Sequence, residues 1–176
     1  GPRAVRMIED LGGDLRFGDD ERVAIILSYG WFHAFAFAWA TLLAGRAVVS
    51  APSLRDVLDH MPTLAASRML TGPAFLQGQA KKWRSRVEQA PELLKQISGE
   101  TPGREDAGAF SFSGALSALG EKAALRALYD PIRAELGAQM GSIYAVGGRL
   151  PGEAYDIFEK IGVDVLGVHG YPECGV

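Results

Sequence analysis

The chain has a single cysteine, Cys174, in 176 residues. That excludes a disulfide framework or a cysteine-based zinc site within one chain, and points to a reducing compartment, the cytoplasm. Histidine is nearly as sparse: His33, His60 and His169 stand far apart and lack metal-ligand spacing. There is no basic excess either, since 18 basic against 21 acidic residues leave a net charge of -3. No electrostatic footprint for nucleic acid results, and the densest basic stretch (Lys81, Lys82, Arg84, Arg86) reads as a solvated helix face. No apolar run is long enough to cross a bilayer. The longest, Trp31 to Ala44, spans about 14 residues and is interrupted by His33. Arg3, Arg6, Glu9 and Asp10 come too early for the apolar core of a signal peptide. G-x-x-x-x-G-K-[ST], G-x-G-x-x-G and G-x-S-x-G are all missing. The common phosphate-binding loops and the α/β-hydrolase nucleophile elbow are therefore not in this stretch.

What is present is an ordinary globular composition, 48% hydrophobic and 22% charged, enough for one sizeable core. Val5, Ile8 and Leu11 share one face of a helix predicted over 4–11 and stopped by Gly12-Gly13. Short β-branched runs predict strands at 22–29, 46–50, 68–71, 141–146 and 163–168. Between them lie helical stretches. The run 32–44 is apolar nearly all round, with Gly45 as its cap, and is expected to be buried, the aromatic stretch 29–39 with it. Ser53 is placed to cap a helix over 54–66 that Pro62 should kink or break. Gly72-Pro73 opens another helix, 77–95 is polar and helical, and 98–108 is the clearest loop. Helices are predicted at 115–128, separately at 131–136, and from Pro151 to Ile161. Strands alternating with helices predict an α/β fold: a largely parallel sheet covered by helices on both faces.

Ligands of open α/β sheets bind beyond the carboxyl ends of the strands. Three such ends carry informative residues: 29–35, 146–150 and 168–173. The first lies in Leu27-Ser-Tyr-Gly-Trp-Phe-His33-Ala-Phe, followed by Leu43-Ala-Gly-Arg-Ala-Val-Val49 and by Met61-Pro-Thr with Leu70-Thr-Gly-Pro73-Ala-Phe-Leu76. The second is Ala145-Val-Gly-Gly-Arg-Leu-Pro-Gly-Glu153, and the third Val165-Leu-Gly-Val-His-Gly-Tyr-Pro-Glu173. In order and spacing these segments resemble the AMP-binding domain of adenylate-forming ligases, and long-chain fatty acyl-CoA synthetases in particular. The resemblance covers nearly the whole chain, as a partial AMP-binding domain over 1–176.

The resemblance implies a piece of the large N-terminal domain of an enzyme that joins a fatty acid or other carboxylate to AMP, using ATP and Mg²⁺. The acyl group then passes to CoA or an acyl carrier. It places His33 at a substrate pocket, Gly147, Gly148 and Arg149 in the loop against the adenine, and His169, Gly170 and Tyr171 at the adenylate. It makes Glu173 the magnesium ligand and the catalytic carboxylate. Glycines suit the close approach of a flat base, and a carboxylate suits a hard cation held mainly by phosphates. It further implies a phosphate loop before Gly1, and a ribose-binding acid and a catalytic lysine after Val176. The isolated chain is therefore expected not to adenylate, and to self-associate through apolar surface left open. Several positions depart from the pattern: His169 stands for tyrosine, Pro172 for threonine, Tyr29-Gly30 for leucine-proline, and Arg149 lies near the place of small residues. These leave a second reading open, a degenerate, non-catalytic module that binds an acyl or nucleotide ligand or a protein partner.

Overall fold

The computed structural model describes residues 2–50, 54–97 and 121–168. Ser53, the loop 98–108, His169, Gly170, Tyr171, Pro172, Glu173 and Cys174 lie outside the described residues. In chain order the elements are α1 (Pro2–Leu15), β1 (Arg22–Ile25), α2 (Phe32–Leu43), β2 (Ala47–Val49), α3 (Leu54–Leu64), β3 (Arg68–Thr71) and α4 (Pro73–Ile97). After the undescribed stretch come α5 (Glu121–Leu136), β4 (Ser142–Val146), α6 (Gly152–Lys160) and β5 (Asp164–Val168). Five strands form one all-parallel sheet in the order β2-β1-β3-β4-β5.

The central strands β1, β3 and β4 are largely buried, with side chains alternating between two cores, whereas the edge strands β2 and β5 are half-buried to exposed. Ala24, Met69, Ile143 and Ala145 point into the larger core, with Met61 of α3, Leu76 and Trp83 of α4, Ile132 and Leu136 of α5, and Ile157 and Phe158 of α6. Val23, Ile25, Leu70 and Val146 point into the smaller one, with Ile8 and Leu15 of α1 and Ala34, Ala36, Phe37 and Ala40 of α2. The split follows from crossover handedness. The chain steps one way from β1 to β2, and the other way from β2 to β3, β4 and β5. Right-handed crossovers taken in opposite directions put their helices on opposite faces.

Several boundaries differ from expectation. Gly12-Gly13 does not stop α1, which continues to Leu15 and buries it. The packing of Leu15 outweighs the helix cost of two glycines. Pro62 sits inside α3, and Pro131 inside a single α5 where two helices were expected. The five strands are where they were expected; β3 has the expected limits and the other four are shorter, with β1 ending at Ile25. Helix α2 ends as expected, with the Gly45 N–H donating to the Leu42 carbonyl at 2.9 Å.

The largest correction concerns burial. The aromatic stretch 29–39 is not core throughout: Phe37 is buried, but Tyr29, Trp31, Phe35 and Trp39 are exposed. An all-round apolar helix fits a two-sided environment, and α2 has packing on one side only among the described residues.

Two polar devices tie the layers. At the amino edge of the sheet, Arg68 opens β3 and its guanidinium donates to the carbonyls of Leu15 and Arg16 and to the Tyr144 hydroxyl. It pairs with Glu21 at 2.9 Å and lies 5.0 Å from the Phe17 ring centroid. The end of α1 and the turn into β1 are thereby fixed to the sheet. On the opposite face Gly137 (φ +93°) ends α5 so close to α3 that a Cβ would stand 3.0 Å from the Met61 carbonyl oxygen. Only glycine satisfies both the backbone angle and that contact.

A candidate ligand site at the carboxyl edge of the sheet

The reversal of strand order lies between β1 and β3. Their outgoing loops leave for opposite faces: residues 26–31 lead to α2, and Gly72 leads straight into α4. Such a switch point opens a crevice beyond the strand ends, the usual ligand position in open α/β sheets. The loop after β4, Gly147 to Pro151, borders the same crevice because β4 is the next strand to β3.

Three near contacts join these loops. A Cβ on Gly72 would lie 3.8 Å from Leu27 Cδ2. One on Gly147 would lie 3.8 Å from Trp31 Cζ3, and one on Gly148 3.5 Å from Pro73 Cγ. The first and second sequence motifs are thus brought together. Gly147 has φ +91°, so an L side chain there would be strained although space exists for it. Gly148 has ordinary space and no such angle, so its backbone does not demand glycine.

Trp31 and Pro73 are wall residues that the motif reading did not single out. Trp31 precedes α2 in extended conformation, and its N–H donates to the Ser28 carbonyl at 2.9 Å. More than half its surface stays open. No sequence signal could give the pairing of Trp31 with Gly147, because 115 positions separate them and a sheet crossing joins them. Thr71, the last residue of β3, is fully buried, and its Oγ1 has no hydrogen-bond partner among the described residues. A buried hydroxyl without a partner is costly, so this atom is a candidate polar contact at the strand end.

His33 is in the first turn of α2, half-buried and edge-on to Phe32 with centroids 6.1 Å apart. Its Nε2 is enclosed and lacks a hydrogen-bond partner among the described residues. It is not one of the described atoms within 4 Å of either glycine's Cβ position. Arg149 is exposed beyond the glycine pair. His169, Gly170, Tyr171 and Glu173 lie outside the described residues. The strand that leads to them is in register, with Val168 opposite Val146, so β5 and β4 end at the same level. Among the described residues no group of three His, Cys, Asp or Glu side chains could hold a metal ion, and no helix is long and apolar enough to cross a membrane.

No family model and no curated protein matches the chain in sequence. Solved structures do match its fold. One is the N-terminal domain of FACL13 from Mycobacterium tuberculosis, with TM-score 0.59 and 13% identity, covering 98% of this chain and 33% of that one. Another is the unliganded O-succinylbenzoate coenzyme A synthetase from Bacillus subtilis, with TM-score 0.60 and 12% identity, covering 99% and 28%. A third is the luciferase-like enzyme of the mealworm Zophobas morio, with TM-score 0.54 and 12% identity, covering 96% and 29%. The chain spans a third or less of the length of each of these structures. Its five-stranded parallel α/β fold is that of the N-terminal domains of adenylate-forming ligases.

Proposed function

We propose that the chain is part of an ATP-dependent acyl-adenylate-forming ligase and contributes one wall of its nucleotide and acyl site. The observation that carries this reading is the convergence, at the β1/β3 switch point, of the loops that bear Gly147, Gly148, Trp31 and Pro73. The reaction joins a carboxylate oxygen to the α-phosphorus of ATP and releases pyrophosphate. The acyl group of the resulting acyl-AMP then passes to a thiol, of CoA or of an acyl carrier. A fatty acid is the carboxylate that the long-chain synthetase resemblance favours. The apolar first turns of α2 beside the crevice are consistent with an acyl chain.

The residues fit a nucleotide in a limited way. Gly147 at φ +91° leaves a surface without a Cβ on which a flat base can lie. Thr71 Oγ1 and His33 Nε2 are polar atoms in need of partners near the strand ends. Arg149, His169, Gly170 and Tyr171 are assigned to the adenylate on the resemblance alone. Glu173 is assigned as the magnesium ligand on the same ground. Mg²⁺ bound to phosphates requires few protein oxygens, so one carboxylate suffices. When bound, the ion neutralises phosphate charge. A related fold, the Bacillus subtilis synthetase, has been solved in complex with ATP and magnesium ion.

The test is titration of the chain with a non-hydrolysable acyl-sulfamoyl adenosine, followed by tryptophan fluorescence. Saturable binding, weakened at least tenfold in Gly147→Val, is expected. Fatty-acid binding without any adenylate binding would turn the reading toward a non-catalytic acyl-binding module. Pyrophosphate release by the isolated chain is expected to stay at background.

A further inference from the structure

Away from the crevice, α5 and the end of α6 form a half-open cavity of about 120 Å³, lined by Arg126, Tyr129, Asp130, Arg133, Lys160 and Ile161. Helix α6 leaves the crevice at Gly152 and ends at Lys160, so the rise of an α-helix puts roughly 13 Å between the two places. Arg126, Tyr129, Asp130 and Arg133 recur at i, i+3, i+4 and i+7, which puts them on one face of α5. Tyr129 packs against the larger core and Ile161 belongs to it, so these two form the apolar floor. Among the described residues Arg126, Arg133 and Lys160 have no ion-pair partner, and Asp130 pairs with none of them. Arg133 Nη2 donates to the Ala138 carbonyl at 3.3 Å, whereas Nη1 is enclosed with no partner among the described residues. Burial lowers the pKa of this guanidinium, but an arginine keeps its charge near neutral pH. An enclosed charged donor without an acceptor is costly.

We propose that this cavity binds a phosphoryl group through Arg126, Arg133 and Lys160. Charge selects an anion. Arg133 and Lys160 lie in the last turns of α5 and α6, where each helix end supplies about half a negative charge. Those two ends and Asp130 offset roughly two of the three positive charges, and about one is left without an answer. Size selects a small anion. The volume equals the share of about four waters, far below what a drug-sized molecule occupies. A tetrahedral oxyanion of that size presents oxygens in several directions to donors from two helices, whereas a carboxylate is matched by one planar fork. The rest of a larger fold does not account for the cavity. The outer side of this layer is charged, with Lys82 and Arg86 answered by Glu135 and Arg84 by Glu153. That is the finish of a surface in water, not of one awaiting an apolar partner.

Isothermal titration of the chain with inorganic phosphate, at an ionic strength held constant with chloride, tests this. Saturable one-site binding with Kd on the order of 1 mM is expected. Arg126→Gln and Lys160→Gln should each weaken it roughly fivefold. Both side chains are exposed and hold no partner among the described residues, so these variants should keep the melting temperature. Arg133→Gln should abolish the binding. Lys81→Gln removes a cation of the same layer outside the cavity and should change nothing. Glycerol 3-phosphate separates the two sources of the group: equal or weaker affinity identifies the free ion, and tighter binding the phosphoryl end of a larger molecule. No binding up to about 20 mM phosphate would overturn the proposal. So would binding that neither exposed-residue variant weakens, or that Lys81→Gln weakens as much. Arg126 is remote from the crevice, so Arg126→Gln should not alter the acyl-sulfamoyl adenosine titration, and this proposal and the ligase reading fail separately.

Discussion

The two helical layers are built alike on their inner sides and differently on their outer ones. Trp83 of α4 and Phe37 of α2 are both buried, and both pack against a second ring: Trp83 edge-to-face with Phe158 at 5.3 Å, Phe37 tilted against Tyr144 at 5.2 Å. Outside, the α4/α5/α6 layer is dressed with ion pairs. Glu135 pairs with Lys82 and Arg86 and accepts from Trp83 Nε1 at 3.1 Å, and Arg84 pairs with Glu153 at 2.6 Å. The α2 layer shows bare aromatic and leucine side chains. One layer is finished for water, whereas the other has the surface of an interface. A helix's inner face therefore says little about its outer environment; the residues opposite the core do.

The same substitution in the two layers gives the sharpest break in that comparison. Trp83→Ala should cost about 3–5 kcal/mol in urea unfolding, from lost packing and a lost hydrogen bond in a closed core. Trp39→Ala should cost less than about 0.5 kcal/mol in the monomer. Equal losses would mean that α2 is covered within the monomer. Phe37→Ala tests the shared inner design and should destabilise as Trp83→Ala does, by about 3–5 kcal/mol.

Next in size is Arg68→Met, which leaves the Leu15 and Arg16 carbonyls and Glu21 without their cation. A loss of about 2–4 kcal/mol is expected, below the full range for a buried pair because some exposure remains. Hydrogen exchange should rise first in α1 and its turn into β1. If protection falls equally in α6, Arg68 does not anchor the α1 side selectively. Smaller still is Glu135→Gln, expected to cost about 1 kcal/mol, since its ion pairs are half-exposed and screened. The smallest effect belongs to Arg84 with Glu153. A double-mutant cycle should give a coupling under about 0.5 kcal/mol that vanishes in 1 M salt.

Much of the fold was legible in advance. The runs expected as strands at 22–29, 46–50, 68–71, 141–146 and 163–168 each contain one, because short apolar runs between helices have few other ways to be buried. Helix limits were less legible where glycine or proline competed with packing. Gly12-Gly13, Pro62 and Pro131 are weak local stops that tertiary contacts override. At the site, the glycine pair and the approach to His33 were visible as residues on strand ends. The partners Trp31 and Pro73, and the unpartnered Thr71 hydroxyl, were not, because each arises from strands adjacent in space and distant in sequence.

The parallel α/β class, the strand positions and the glycine-bearing strand ends were readable from the chain alone, since hydrophobic period and turn residues act locally. Packing between distant segments set the strand order, and with it the switch point that gathers Leu27, Trp31, Pro73, Gly147 and Gly148. It also decided which side of α2 is left uncovered. Crossover direction decides only which side of the sheet carries α2; the face of α2 that turns inward, Ala34, Ala36, Phe37, Ala38, Ala40 and Thr41, is set by side-chain packing.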